Sequence, residues 1–208
     1  MKTDDLIHAL AADTTPVPSA RTALMRLVPL AVLATAIVMG ATVGLRPDAA
    51  NAMGATAMKL SITLSLAGMA LAMLPAQVMQ LHPAGKVVVL AIAPVLAAVF
   101  VAIDLASNGT AGALTRLVGT KASHCLVLIP AFSILPLAAL LFAGRQGMPA
   151  SPAGAGALAG LAAAGIGASF YALNCVEDSP LFVASWYSLA TLIVTALGAV
   201  LGSRLLRW

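Results

Sequence analysis

The sequence predicts an all-α polytopic integral membrane protein, with six transmembrane helices in one bundle and a short N-terminal segment. Three observations predict it. The 208 residues fall into six long apolar stretches, with charge almost confined to the gaps. Only 9% of residues are charged, and mean hydropathy is +1.02. The chain is 61% hydrophobic yet 4% aromatic, dominated by Ala, Leu, Val and Gly. About 20 consecutive apolar residues cross the roughly 30 Å hydrocarbon core of a bilayer, and small residues let spanning helices approach closely. A membrane β-barrel would alternate apolar and polar residues in segments of about ten. Here they come in runs. No stretch is long enough for a second, soluble domain. The chain divides into an N-terminal segment, 1–25, and a membrane domain, 26–208.

The first span is expected over Leu27–Leu45, between Arg26 and Arg46-Pro47-Asp48. The second is expected over Ala57–Leu81, closing in the turn His82-Pro83-Ala84-Gly85-Lys86, and the third over Val87–Ala106. A polar connection, 107–123, carries Arg116 and Lys121. The fourth span is expected over Cys125–Ala143, the fifth over Ala153–Leu173 and the sixth over Leu181–Leu206. Pro75, Pro94, Pro130 and Pro136 fall inside spans, where each removes a backbone bond and bends its helix. Neighbouring helices can satisfy the freed carbonyls, so shape alone accounts for these prolines. The fifth span is glycine-rich, and Gly156 and Gly160 have the Gly-x-x-x-Gly spacing of close helix contact. An internal helix with a close neighbour is expected there, rather than a dimer interface.

Six spans place both termini on one side. That side collects Lys2, Arg21, Arg26, Lys86, Arg145, Arg204 and Arg207, and the other collects Arg46, Lys59, Arg116 and Lys121. Seven against four puts both termini in the cytoplasm by the positive-inside rule. Trp208 suits an interfacial anchor. The net charge of +4 is read as loop charge that sets orientation, not as a nucleic-acid footprint. The first 25 residues are polar and carry Asp4, Asp5 and Asp13. No cleavable leader is expected, and the first span should serve as its own signal.

Chemistry has few carriers. Ionisable groups inside a membrane are usually functional, but the spans hold almost none. Asp104 and Lys59 sit near the outer ends of the third and second spans, where a structural ion pair or snorkelling is expected. There is no paired carboxylate, Ser/His/Asp set, phosphate-binding loop or His-x-x-x-His motif, so no enzyme activity and no cofactor are expected. The two cysteines stand apart. Cys125 begins the fourth span, and Cys175 follows the fifth. The topology sets both on the outer, oxidising face. His124 precedes Cys125, and Glu177 and Asp178 follow Cys175, as candidate modulators of the thiols. A reactive and a resolving thiol is one reading, and a permanent disulfide is another. A metal site from His124, Cys125, Cys175 and Glu177 has acceptable ligand types but no tight spacing motif.

Residues 1–13 read as a short helix capped by Thr3 or Asp4. Leu6, Ile7 and Leu10 form its apolar stripe, and Thr14-Thr15-Pro16-Val17-Pro18 breaks it. So short a helix is marginal alone and becomes ordered by laying its stripe in a groove on a partner. A frayed leader on the membrane surface is the other reading. Its acidic polar face argues against lipid and for a basic protein partner.

Three segments resemble the NrsF family of bacterial inner-membrane anti-sigma factors. They are Lys2-Thr3-Asp4-Asp5-Leu6-Ile7 with Leu10-Ala11-Ala12-Asp13, the run His124-Cys125-Leu126-Val127-Leu128-Ile129-Pro130, and the run 171–182 with Trp186-Tyr187. Within that last run lies Asn174-Cys175-Val176-Glu177-Asp178-Ser179-Pro180. The resemblance covers essentially the whole chain and shows no departure at either cysteine. It implies six spans and a partner, an extracytoplasmic-function sigma factor of the SigF type, held inactive at the inner membrane. It implies release under oxidative or heavy-metal stress, sensed through Cys125 and Cys175. Asp4, Leu6, Ile7 and Leu10 become the residues for sigma contact. Membrane lipid is the other expected partner, no direct nucleic-acid contact is expected, and homo-oligomerisation is left open. Whether cytoplasmic loops share the binding surface is left open, with His82 and Arg145 on that side. The rivals are a small membrane transporter or metal-binding membrane protein, which should carry intramembrane ligands, and a membrane thiol enzyme, which should carry Cys-x-x-Cys.

Overall fold

The computed structural model describes residues 19–78, 86–147 and 149–207. Among these, every regular element is a helix. They are α1 (Ala20–Thr42), α2 (Met53–Val78), α3 (Lys86–Asn108), α4 (Ala113–Val118), α5 (Ala122–Gly144), α6 (Pro152–Asn174) and α7 (Pro180–Leu205). All but the short α4 are long and apolar enough to cross a membrane, which bears out the six-span expectation. The connection 107–123, expected only as polar chain, contains α4.

Local chemistry sets the helix starts. The Ser19 hydroxyl accepts from the Thr22 amide at 3.2 Å and caps α1. Ser151 caps α6 in the same way through the Gly154 amide at 3.2 Å, and Pro152, which has no amide hydrogen to leave unsatisfied, opens the helix. Pro180 opens α7, whose second turn, Val183–Tyr187, widens into a π-helix. Pro29, Pro75, Pro94, Pro130 and Pro136 all lie within continuous helices. Pro29 adds a fifth to the four prolines expected inside spans.

The bundle is built around α6. This helix is 78% buried over its span, whereas α3 is 11% buried over Ala91–Asn108. It packs against α2, α5 and α7, while α1 lies on α5 and α3 on α2. Glycine makes the centre this dense. A Cβ at Gly156 would lie 2.7 Å from Gly202 Cα, and one at Gly160 would lie 2.7 Å from the Val194 carbonyl oxygen. Gly165 meets Ala67 of α2, and Gly167 meets Ile129 and Ser133 of α5. The expected close neighbour of α6 is therefore present, on three sides. Towards one end of α6 the core is aliphatic, with Leu137, Leu140, Leu141, Leu158 and Leu206. Towards the other it holds both cysteines and the aromatic residues Phe132, Tyr171, Phe182 and Tyr187.

Candidate functional site at the cysteine end

Cys175 is the residue at which α6 stops. Its amide still donates to the Tyr171 carbonyl at 2.9 Å, but its backbone has turned extended. The chain then runs without helix through Val176-Glu177-Asp178-Ser179 to Pro180. Cys125 faces inward within the first turns of α5. Both thiols are unbonded and buried, at 0% exposure for Cys125 and 3% for Cys175, and both belong to one apolar cluster. Tyr171 and Tyr187 flank them with ring centres 5.5 Å apart. The thiol of Cys175 faces the Glu177 carbonyl at 3.8 Å.

A polar shell fastens this short loop. Asn174 Nδ2 donates to the carbonyls of Val43 and Gly44, at 3.2 Å each, and the Arg46 amide donates to the Leu173 carbonyl at 3.1 Å. The end of α1 is thereby tied to the end of α6. From α2, Lys59 Nζ donates to the Cys175 carbonyl at 2.8 Å and meets Asp178 Oδ1 at 2.8 Å. The Arg46 guanidinium is shared, with Nε 2.8 Å from Asp48 Oδ1 and Nη1 2.8 Å from Asp178 Oδ1. Lys59 and Arg46 are 0% and 4% exposed, so their charges rest on these two carboxylates. Two cations and two anions leave the cluster neutral. Burial pushes the Asp178 carboxyl up, but the hydrogen bonds from Arg46 and Lys59 outweigh it and hold the group below the usual carboxylate range. The Arg46 hydrogen bond likewise lowers Asp48. Hydrogen bonds to Asp178 and then Asp48 hold Arg46 firmly protonated.

Two more ties reach the segment ahead of α5. The Thr120 amide donates to Glu177 Oε1 at 2.8 Å, and the Thr120 hydroxyl reaches the same oxygen. Trp186 Nε1, on the π-turn, donates to the Leu117 carbonyl at 2.9 Å. Gly119 has φ +57°, and a Cβ there would lie 2.6 Å from the Phe182 ring. Only glycine satisfies both the left-handed backbone and this approach.

The structure corrects one expected pairing. Lys59 does not meet Asp104. It turns to Asp178 and the Cys175 carbonyl, while Asp104 accepts from Asn108 at 3.1 Å and lies 3.3 Å from Arg116. Lys59 thus serves the cysteine loop, and Asp104 fastens α4 to the end of α3. Of the expected site residues, Cys125, Cys175, Glu177 and Asp178 come together. His124 does not join them, because its side chain is exposed while Cys125 is buried. Among the described residues, no three His, Cys, Asp or Glu side chains converge as a metal site. Asp4, Leu6, Ile7, Leu10 and His82 lie outside the described residues. Arg145, at the end of α5, is exposed at the opposite end of the bundle. Sequence reading missed Arg46, Asp48, Asn174 and Thr120 as parts of the site. An arginine and an aspartate two apart just after a span, Arg46-Pro47-Asp48, were the available signal.

Comparison with known proteins gives a consistent picture. The family profile described as "Negative regulator of sigma F" (NrsF) matches residues 10–208. An anti-sigma-F factor NrsF of Caulobacter vibrioides is 33% identical over 216 aligned positions, covering 100% of each chain. A probable anti-sigma-F factor NrsF of Azospira oryzae is 38% identical over 90 residues, which are 43% of this chain and 42% of that protein. No solved structure matches.

Proposed function

We propose that this chain, which belongs to the NrsF family of negative regulators of sigma F, holds an extracytoplasmic-function sigma factor of the SigF type at the bacterial inner membrane. Oxidative or heavy-metal stress, sensed at Cys125 and Cys175, sets it free. The supporting observation is the shared burial of the two thiols at the end of the central helix, inside a shell that ties α1, α2 and the α4–α5 segment to one short loop.

The thiols face the periplasm and both termini face the cytoplasm. Lysine and arginine counts favour this orientation. Residues 1–18 form the handle for the sigma factor, with Asp4, Leu6, Ile7 and Leu10 as its contacts. On oxidation, Cys125 and Cys175 each lose a proton, and together they give two electrons to a periplasmic oxidant as the S–S bond forms. The bond joins the start of α5 to the end of α6. Because α6 touches α2, α5 and α7 through backbone-close glycine contacts, a shift at its end is transmitted along the bundle instead of being absorbed. A disulfide contributes about 2–4 kcal/mol, the order needed to bias a two-state bundle. Both thiols are buried, so an oxidant reaches them when the loop 175–179 opens, and Asp178 and Glu177 govern that opening.

The test of the partner is co-purification of the sigma factor with the full chain and with a chain lacking residues 1–18, a deletion that leaves the Ser19 cap in place. Binding by the full chain and its loss on deletion support the reading. Equal binding by both overturns the handle, and no binding by either overturns the function and favours a transporter.

A further inference from the structure

The end of the bundle opposite the cysteines has an electrostatic asymmetry. Arg21, Arg26, Arg145, Arg204 and Arg207 are all exposed there. Every described acidic residue, Asp48, Asp104, Glu177 and Asp178, lies at the cysteine end. Three of the arginines, Arg145, Arg204 and Arg207, follow or close α5 and α7. Each helix C-terminus carries about half a negative charge. Two such ends leave a surplus of roughly two positive charges from three arginines, with no side-chain carboxylate among the described residues to meet it.

An apolar groove runs up to these arginines between α5 and α7. It encloses about 480 Å³. Ile134, Leu137 and Phe142 form one wall, Leu197 and Leu201 the other, and Arg145 stands at its head. Ile134, Phe142 and Leu197 are at least half exposed, so the groove opens sideways from the bundle. From Ile134 to Arg145 the helix advances about 16 Å at roughly 1.5 Å per residue. That is about half of the roughly 30 Å hydrocarbon core, the depth of one leaflet. The ligand that fits has an acyl chain one leaflet deep and an anionic head at the membrane surface.

We propose that the α5–α7 groove is a binding site for an anionic phospholipid, its chain between Ile134 and Leu201 and its headgroup phosphate on Arg145 and Arg204. The site rests on neither the sigma-factor reading nor the cysteines.

The test uses the full chain in a neutral detergent, offered phosphatidylglycerol or phosphatidylcholine with identical acyl chains, with retained lipid counted by native mass spectrometry. Phosphatidylglycerol should be retained preferentially. An arginine near an anionic surface contributes about a fivefold preference, so Arg145→Gln with Arg204→Gln should lower the ratio about 25-fold. Ala138→Trp, which fills the groove, should lower retention of both lipids. Should it fail to fold, the arginine pair still decides the matter. Equal retention of the two lipids overturns the proposal, as does an unchanged ratio in the arginine variant. A dimer in neutral detergent that cross-links through Leu197 or Leu201 would assign the groove to a second copy, and would also overturn it.

Discussion

The two ends of α6 are held by opposite means. Near its start, Gly156 and Gly160 bring its backbone against Gly198 and Gly202 of α7, with no polar side chain between. Near its end, Cys175 is fixed by the buried Lys59 and Arg46, by Asp178 and by Glu177. The first contact depends on shape and close packing, which neither pH nor oxidants alter. The second depends on charge, hydrogen bonds and thiols, which both alter. One helix therefore has an end locked rigidly to its neighbour and an end held by groups that acid and oxidants can change.

The largest effect should come from breaking the fixed end. Gly156→Val places carbon atoms within the space of the α7 backbone. Overpacking typically costs about 1–3 kcal/mol and more where backbone must move, so about 3 kcal/mol or more is expected, read as loss of monodisperse protein and a lowered melting temperature. Gly68→Ala, which has open space around its Cβ, should leave both unchanged.

Next comes the charged end. Asp178→Ala strips Lys59 of its carboxylate and Arg46 of one of two. Removing one partner of a buried pair costs about 3–5 kcal/mol, and because Asp178 is partly open to solvent the cost should fall near 3 kcal/mol. Adding Lys59→Met should recover much of it, since the stranded charge is then gone. Thermal melts of the single and double variants measure both. The same carboxylate sets a pH dependence. Its folded value lies below the ordinary 3.8, so its contribution is complete above that pH and is lost as pH falls further, through the folded value. Acid melts of the wild type should show this loss, and Asp178→Asn should flatten it.

The smallest effect should follow Glu177→Gln. The amide oxygen still accepts from Thr120 but without charge, and a difference of about 1 kcal/mol is expected. Hydrogen exchange at the Thr120 amide should quicken accordingly, while amides around Gly160 keep their protection.

The comparison also shows what the sequence could convey. Six spans were legible because a run of about 20 apolar residues is its own signal. The closeness of α6 was legible from Gly156 and Gly160. The signal for its partner lies in Gly198 and Gly202, which repeat the same four-residue spacing. The cysteine end was legible in part. Cys125 and Cys175 could be set on one face by counting spans, but the pairing of Lys59 could not. Sequence adjacency suggested Asp104 on the next helix, whereas the partner that won, Asp178, comes from a loop 119 residues further on, brought over by the packing of α2 on α6. Asn174 and Thr120 act through backbone carbonyls, an amide and a distant carboxylate, none of which leaves a spacing pattern.

The central claim is that the thiols of α5 and α6 control the partner held at the far end. It is tested most directly by reconstituting the full chain with its sigma factor in membranes and measuring the fraction retained before and after a membrane-impermeant oxidant. Retention should change with the wild type, in step with formation of the Cys125–Cys175 bond, and should not change with Cys125→Ser combined with Cys175→Ser. An equal change in the double variant, or no change while the wild-type bond forms fully, would contradict it.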